Sequence, residues 1–173
     1  MFTTTLRGMG AGLVLIAGIG TAMAQESTNV VATNDAWTVF AADNPRECWA
    51  VSPPRSSQNT RGGQPVEVSR GDIRLYVAYR PGQNGEVSFT GGYPFAPDST
   101  VEVDVGGRKF NLFTEGESAW TGSPSDDQAL IGALRAGSTV VVTGRSARGT
   151  TTKDTFSLMG ITAATNTARS RCQ

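Results

Sequence analysis

The amino-acid sequence predicts an all-β fold, an antiparallel β-sandwich or partly open barrel with one short helix at about residues 123–136. From Trp37 onward the chain is a succession of short β-branched and aromatic runs separated by Gly, Pro, Asn and Asp. Within those runs apolar and polar residues alternate with a period of two, the signature of strands with one buried face. Only one window, "SPSDDQALIGALRAG", carries both a helix start and a helix stop.

Taken in order, Gln25 to Asn34 is polar and aperiodic, and residues 25–36 read as a flexible leader to a single β-sandwich domain over 37–173. Ile73, Leu75, Val77 and Tyr79 share one face of a strand, and Arg74, Tyr76 and Arg80 the other. In "GEVSFT", Val87 and Phe89 oppose Ser88 and Thr90. "TVEVDVGGRKFNLF" is the strongest hairpin: Val101, Val103 and Val105 alternate with Glu102 and Asp104, Gly106-Gly107 turns the chain, and Phe110 and Leu112 return. For the helix, Ser123 caps, Pro124 takes the first position, Asp126 and Asp127 meet the positive end of the dipole, and Gly137 stops it. Ala129, Leu130, Ala133 and Leu134 form its apolar stripe. The remaining "STVVVTGRSARGTTTKDTFSLMGITAAT" reads as a long hairpin with its tip at Gly144 to Thr152, its return strand running on into the "NTARSRC" tail.

The first 24 residues combine one cation (Arg7), an uncharged apolar stretch from Met9 to Ile19 and the small-residue pattern Ala22-Met23-Ala24. They read as a secretory signal peptide cleaved after Ala24. The stretch falls short of the ~20 apolar residues a bilayer-spanning helix requires, so no transmembrane segment is expected after cleavage. The remaining chain would carry 14 basic and 15 acidic residues. That balance lacks the basic excess of a nucleic-acid binder.

Secretion sets the meaning of the two cysteines. In an oxidising compartment thiols pair by preference, and neither Cys48 nor Cys172 lies in a C-x-x-C spacing that would mark redox or metal chemistry. A Cys48–Cys172 disulfide is the expectation, clasping the chain end against an early strand; two free thiols or a bridge between chains are the competing accounts. The chain-entropy model assigns such a long loop roughly 5 kcal/mol.

Catalytic chemistry is sparse. The chain contains no histidine, which removes Ser-His-Asp and Cys-His mechanisms and imidazole-ligated metals. "GRSARG" has Arg148 where a nucleophile elbow needs glycine, and "GRSARGTT" has Thr150 where a phosphate loop needs lysine. No catalytic residue, metal or cofactor is assigned. A carboxylate pair drawn from Asp126, Asp127, Glu102 and Asp104 is the one acid/base alternative, that of a small cell-envelope hydrolase. Aromatic residues carry the stronger lead. Tyr93 and Phe95 in "TGGYPFAPDS" and Trp120 in "GESAWTGSP" sit at Gly- and Pro-bounded strand ends. They either plug one end of the sandwich together or form a shared partner-binding patch. In "PPRSSQNTRGGQPVEVSRGD", Arg55, Arg61 and Arg70 read as residues of a flexible solvated loop, with a basic lip as the alternative.

Trp37-Thr38-Val39, Glu47-Cys48-Trp49, "FTGGYPF", "LRAGSTVVVTGRS" and "KDTFSLMGITAA" in this order resemble the invasion-associated locus B family of secreted bacterial proteins, over Trp37 to Cys172. The resemblance implies a β-rich protein of the periplasm or outer envelope, named for a link to host-cell entry and bringing no catalytic residues to transfer. The expected function is a non-catalytic, monomeric binding or structural domain whose partner is a protein or envelope component.

Overall fold

The computed structural model describes residues 29–173, so the signal-peptide reading lies outside the described residues. Among the described residues the chain is mostly antiparallel β-structure with two helices. In chain order the strands are β1 (Val30–Asn34), β2 (Trp37–Asp43), β3 (Arg46–Ser52), β4 (Ser56–Arg61), β5 (Gln64–Pro65), β6 (Arg74–Tyr79), β7 (Glu86–Thr90), β8 (Thr100–Val105), β9 (Arg108–Glu115) and β10 (Ser118–Trp120). Helix α1 (Pro124–Ala136), β11 (Thr139–Arg145), β12 (Thr151–Ser157) and helix α2 (Ile161–Cys172) follow. All strands belong to one sheet, ordered β1-β2-β3-β6-β7-β10-β9-β8-β11-β12-β4-β5, which coils without closing.

The period-two pattern sets the two faces. Leu75, Val77 and Tyr79 of β6, Val87 and Phe89 of β7, and Val101, Val103 and Val105 of β8 all point into one core with Trp37, Val39, Val140, Val142 and Phe156. Phe110 packs against it only partly buried. The Gly106-Gly107 hairpin pairs Val103 with Phe110 and Val101 with Leu112. At roughly 25 cal/mol per Å² of apolar surface removed from water, burial of these side chains is the dominant favourable contribution to the fold. Helix α1 forms over the predicted window: Ser123 Oγ accepts from the Asp126 amide at 3.2 Å, and the Gly137 amide closes the far end on the Ala133 carbonyl. Its buried side is Leu130, Ile131, Ala133 and Leu134, with Ala129 only half-buried.

Three sequence expectations need correction. Val30–Asn34, placed in the flexible leader, is an edge strand paired with β2 from Asn34↔Trp37 to Val30↔Phe40; the neighbours Val31 and Ala32 are both half-buried against the core, so no period of two marks it. The segment around Arg55 and Arg61, read as flexible loop, contains β4, which pairs with β12 from Ser56↔Thr155 to Thr60↔Thr151. Finally, the last strand does not run into the tail. It stops at Ser157, and the chain enters a second helix, α2, which lays Ile161, Ala164, Thr165, Ala168 and Cys172 on one face against β2 and β3. No side chain caps this helix, and it is rich in threonine, so tertiary packing rather than local propensity makes it. Gly160 enters it in the left-handed conformation (φ 89°), and any Cβ there would collide with the Asn34 carbonyl. The close approach is secured by the Trp37 indole, which donates to the Ser157 carbonyl at 3.0 Å. At the far end of α2, Cys172 is disulfide-bonded to Cys48 of β3 with Cα atoms 5.8 Å apart.

Candidate functional site

The segment after β7, Gly91-Gly92-Tyr93-Pro94-Phe95, crosses the mouth of the coiled sheet. It is wedged there by backbone bonds, Phe95 N–H to the Gly116 carbonyl (2.9 Å), Ala96 N–H to Arg145 (2.9 Å) and Ala147 N–H to Pro94 (2.9 Å). Phe95 is 6% exposed and lies against Phe89 with ring centroids 6.3 Å apart. Its ring and the Tyr93 hydroxyl occupy the space over Gly144, where a Cβ would come within 2.9 Å of both. Phe95 therefore plugs the mouth, and Tyr93, edge-on to it at 5.1 Å, forms the rim.

Beneath Tyr93 lies the principal polar feature of the molecule. Arg70, on the connection between β5 and β6, reaches inward and binds Asp154 of β12 through two bonds, Nη1 to Oδ1 at 2.8 Å and Nη2 to Oδ2 at 2.7 Å. It donates further to the Gly91 carbonyl from Nε (3.0 Å) and Nη2 (2.8 Å). Ser57 donates to Asp154 Oδ1 at 2.6 Å, so the buried carboxylate is fully partnered. The Arg70 guanidinium sits 4.9 Å from the Tyr93 ring centroid. The Tyr93 hydroxyl pairs with Thr152 Oγ1. Burial pushes the Tyr93 phenol above its ordinary value, against the opposing effects of Thr152 and Arg70, so it stays protonated at neutral pH.

This scaffold bounds a cleft of about 530 Å³, whose rim includes Arg61, Glu67, Tyr93, Glu117 and Arg148. Arg61 closes β4 and donates to Thr150 Oγ1 at 2.8 Å. Arg148 stands exposed at the β11–β12 tip. The basic lip thus exists in altered form: Arg61 and Arg148 line it, Arg70 is its buried anchor, and Arg55 is not part of it.

Trp120 belongs elsewhere. Its neighbour Ala119 points into the core, so the indole projects from the outer face of the sheet, where it packs on Phe113 of β9 with centroids 5.8 Å and planes 30° apart. The structure therefore brings Tyr93 and Phe95 together and separates Trp120 from them. A shallow groove of about 490 Å³ runs beside Phe113 and Trp120, edged by Glu86, Glu115, Thr121 and Asp127.

The four carboxylates weighed as an acid/base pair all hold local structure. Glu102 pairs with Lys109 across the hairpin at 3.0 Å, and Asp104 accepts from the Gly107 amide in the turn. Asp126 accepts from the capping Ser123 hydroxyl at 2.6 Å. Asp127 is buried and accepts from Thr121 Oγ1 (2.6 Å) and the Val87 amide (2.7 Å). No cluster of acidic or thiol groups among the described residues is arranged to hold a metal ion, and no helix among them is long and apolar enough to cross a membrane.

Sequence reasoning missed Asp154, Thr152 and Arg148 as site residues, and Phe113 with them. A trace of Asp154 was present: in "TTKDTFS" it shares the inward parity of Phe156, and an acid at an inward position needs a buried partner.

The model of the invasion associated locus B (IalB) protein family matches residues 37–169. The chain belongs to this family. Among solved structures, this IalB-family chain is similar to the crystal structure of invasion associated protein B from Bartonella henselae, at a TM-score of 0.54 and 16% sequence identity over 79% of this chain and 94% of that one. At that identity the likeness is one of fold. No curated protein sequence matches the chain.

Proposed function

We propose that this IalB-family protein is an envelope-associated binding domain that acts without catalysis, and that the cleft under Tyr93 receives its partner, a protein or envelope component. The carrying observation is the construction of the cleft. A buried, fully hydrogen-bonded Arg70–Asp154 pair fixes its floor, while Tyr93, Arg61 and Arg148 present a ring, hydroxyls and cations at its rim. A rigid floor under an accessible polar rim is what a recognition site requires, because little ordering remains to be done on binding. The disulfide fits an oxidising compartment, which supports the reading of a periplasmic or outer-envelope protein; that it acts as a monomer, after cleavage behind Ala24, is part of the same proposal. The name of the family, shared by the Bartonella protein, supports a role in invasion, through contact with a host cell or maintenance of the envelope that makes it.

A photo-crosslinking residue at position 148, irradiated in intact cells, should capture a discrete partner. Arg61→Glu should abolish capture, while amide substitutions at Asp126, Asp127, Glu102 and Asp104 should leave it unchanged. Turnover of a cell-wall or glycan substrate that is lost with one of those amides would overturn the reading in favour of a hydrolase.

A further inference from the structure

The outer face of the sheet carries a second surface that the cleft does not explain. Strand register aligns Tyr76 of β6 with Ser88 of β7, Ser88 with Trp120 of β10, Trp120 with Phe113 of β9, and Phe113 with Thr100 of β8. Five strands thus contribute one row, spanning about 19 Å at the usual strand spacing, with two stacked aromatic rings near its middle. Phe113 is 49% exposed, although Leu112 beside it is fully buried. Keeping a phenyl ring in water gains the fold little, so its placement asks for a partner.

The charge around the rings names that partner's chemistry. Glu86, Glu115 and Asp127 edge the groove, and no lysine or arginine lines it. The chain as a whole has a formal net charge of zero, so the acidity here is local. Asp127 is committed to Thr121 and Val87, and Glu86 faces Arg80 at 3.4 Å. Glu115 has neither a hydrogen bond nor an ion pair from its side chain among the described residues. Aromatic faces attract cations through their quadrupole, and adjacent carboxylates add a charge partner. A neutral sugar would use the ring faces and leave the Glu115 carboxylate uncompensated.

We infer that the Phe113–Trp120 groove docks an extended, lysine- or arginine-bearing segment of a partner protein, laid across the strands along this row. The groove lies apart from the Tyr93 cleft and shares no lining residue with it, so the inference stands or falls independently of the cleft.

Titration of the purified full chain with hexalysine and hexaglutamate peptides tests it. Hexalysine should bind in a salt-dependent manner and hexaglutamate should not. Phe113→Ala and Glu115→Gln, both at exposed positions that leave the core intact, should each weaken hexalysine binding by about three- to five-fold. Glu67→Gln, on the cleft rim, should leave it unchanged. Hexalysine binding that is absent, or indifferent to both groove variants, overturns the inference. Tighter binding of a neutral chito-oligosaccharide that depends on Phe113 would assign the groove to a glycan. Concentration-dependent dimerisation abolished by Phe113→Ala would assign it to a second copy of this chain. Either result overturns the inference.

Discussion

Two non-strand segments are fastened onto this sheet, and the fastenings differ in kind. The tail beyond β12 is seated by small apolar residues, Ala164 and Ala168 among them, and then locked covalently through Cys172 to Cys48. The β5–β6 connection has a smaller apolar contact, Ile73, and two backbone bonds, from the Val66 and Gly71 amides; its one buried polar fastening is an arginine that crosses to a buried aspartate and a backbone carbonyl. The covalent seat buries small apolar side chains and the disulfide, and the polar residues of α2, Asn166, Arg169 and Arg171 among them, lie on its exposed side. The ionic one leaves hydroxyls, a ring and two accessible arginines gathered above it, which is why the candidate site sits there and not at the helix. A buried ion pair does little for net stability, since desolvation offsets most of its attraction. Its contribution here is position: it sets where Tyr93 and the β5–β6 connection lie.

Breaking the ionic fastening on one side should have the largest effect. Asp154→Ala leaves Arg70 buried without its carboxylate and should cost about 3–5 kcal/mol in urea unfolding. Replacing both partners with apolar residues, Arg70→Met with Asp154→Leu, should recover most of that loss while abolishing partner capture at the cleft. If the double variant is as unstable as Asp154→Ala, the pair contributes stability as well as position, and the contrast with the covalent seat weakens.

Removing the covalent lock should come next. Cys172→Ser should lower stability by about 2–5 kcal/mol, the usual range for a native disulfide. Limited proteolysis should then cut first within α2, while the circular dichroism of the β-core is kept, because the strand pairing does not depend on the bond. Protection of α2 in the variant would show that Ile161 and the alanine face, with the bond from Arg46 Nη2 to the Arg171 carbonyl, suffice alone.

The same contrast governs what could be read from the sequence. With only two cysteines in a chain bearing an export pattern, the lock followed from counting. The β8–β9 hairpin and α1 were legible because V-x-V-x-V-G-G and a Ser-Pro start are local signals. Helix α2 was not, because its buried residues are small, it has no side-chain cap, and its cause lies in β2 and β3. Arg70 and Asp154 are 84 residues apart, and nothing local distinguishes either from a solvated charge. Trp120 was grouped with Tyr93 and Phe95 because all three sit beside glycines. Parity along β10, only three residues long, is what sends its ring to the other face.

The smallest expected effect concerns Asp127, a buried carboxylate that pairs with no cation among the described residues. Burial is the main cause that raises its pKa above the ordinary 3.8, with Glu86 and Asp126 adding to it, while the Thr121 and Val87 bonds act in the other direction. Because the folded-state pKa is raised, the protonated form is favoured on folding. The contribution is therefore fully present below about pH 3.8 and is lost as pH rises through the higher folded value. Asp127→Asn keeps an oxygen to accept from Thr121 and the Val87 amide but cannot ionise. At neutral pH the variant should accordingly match or slightly exceed the parent in melting temperature. As pH falls through the raised value toward 3.8, the parent should gain relative to it. A difference that stays flat with pH would mean the carboxylate ionises as freely in the fold as in the unfolded chain. A parent that instead loses ground on acidification would mean that the two hydrogen bonds outweigh burial, making Asp127 a charge-dependent clasp of the same kind as Asp154.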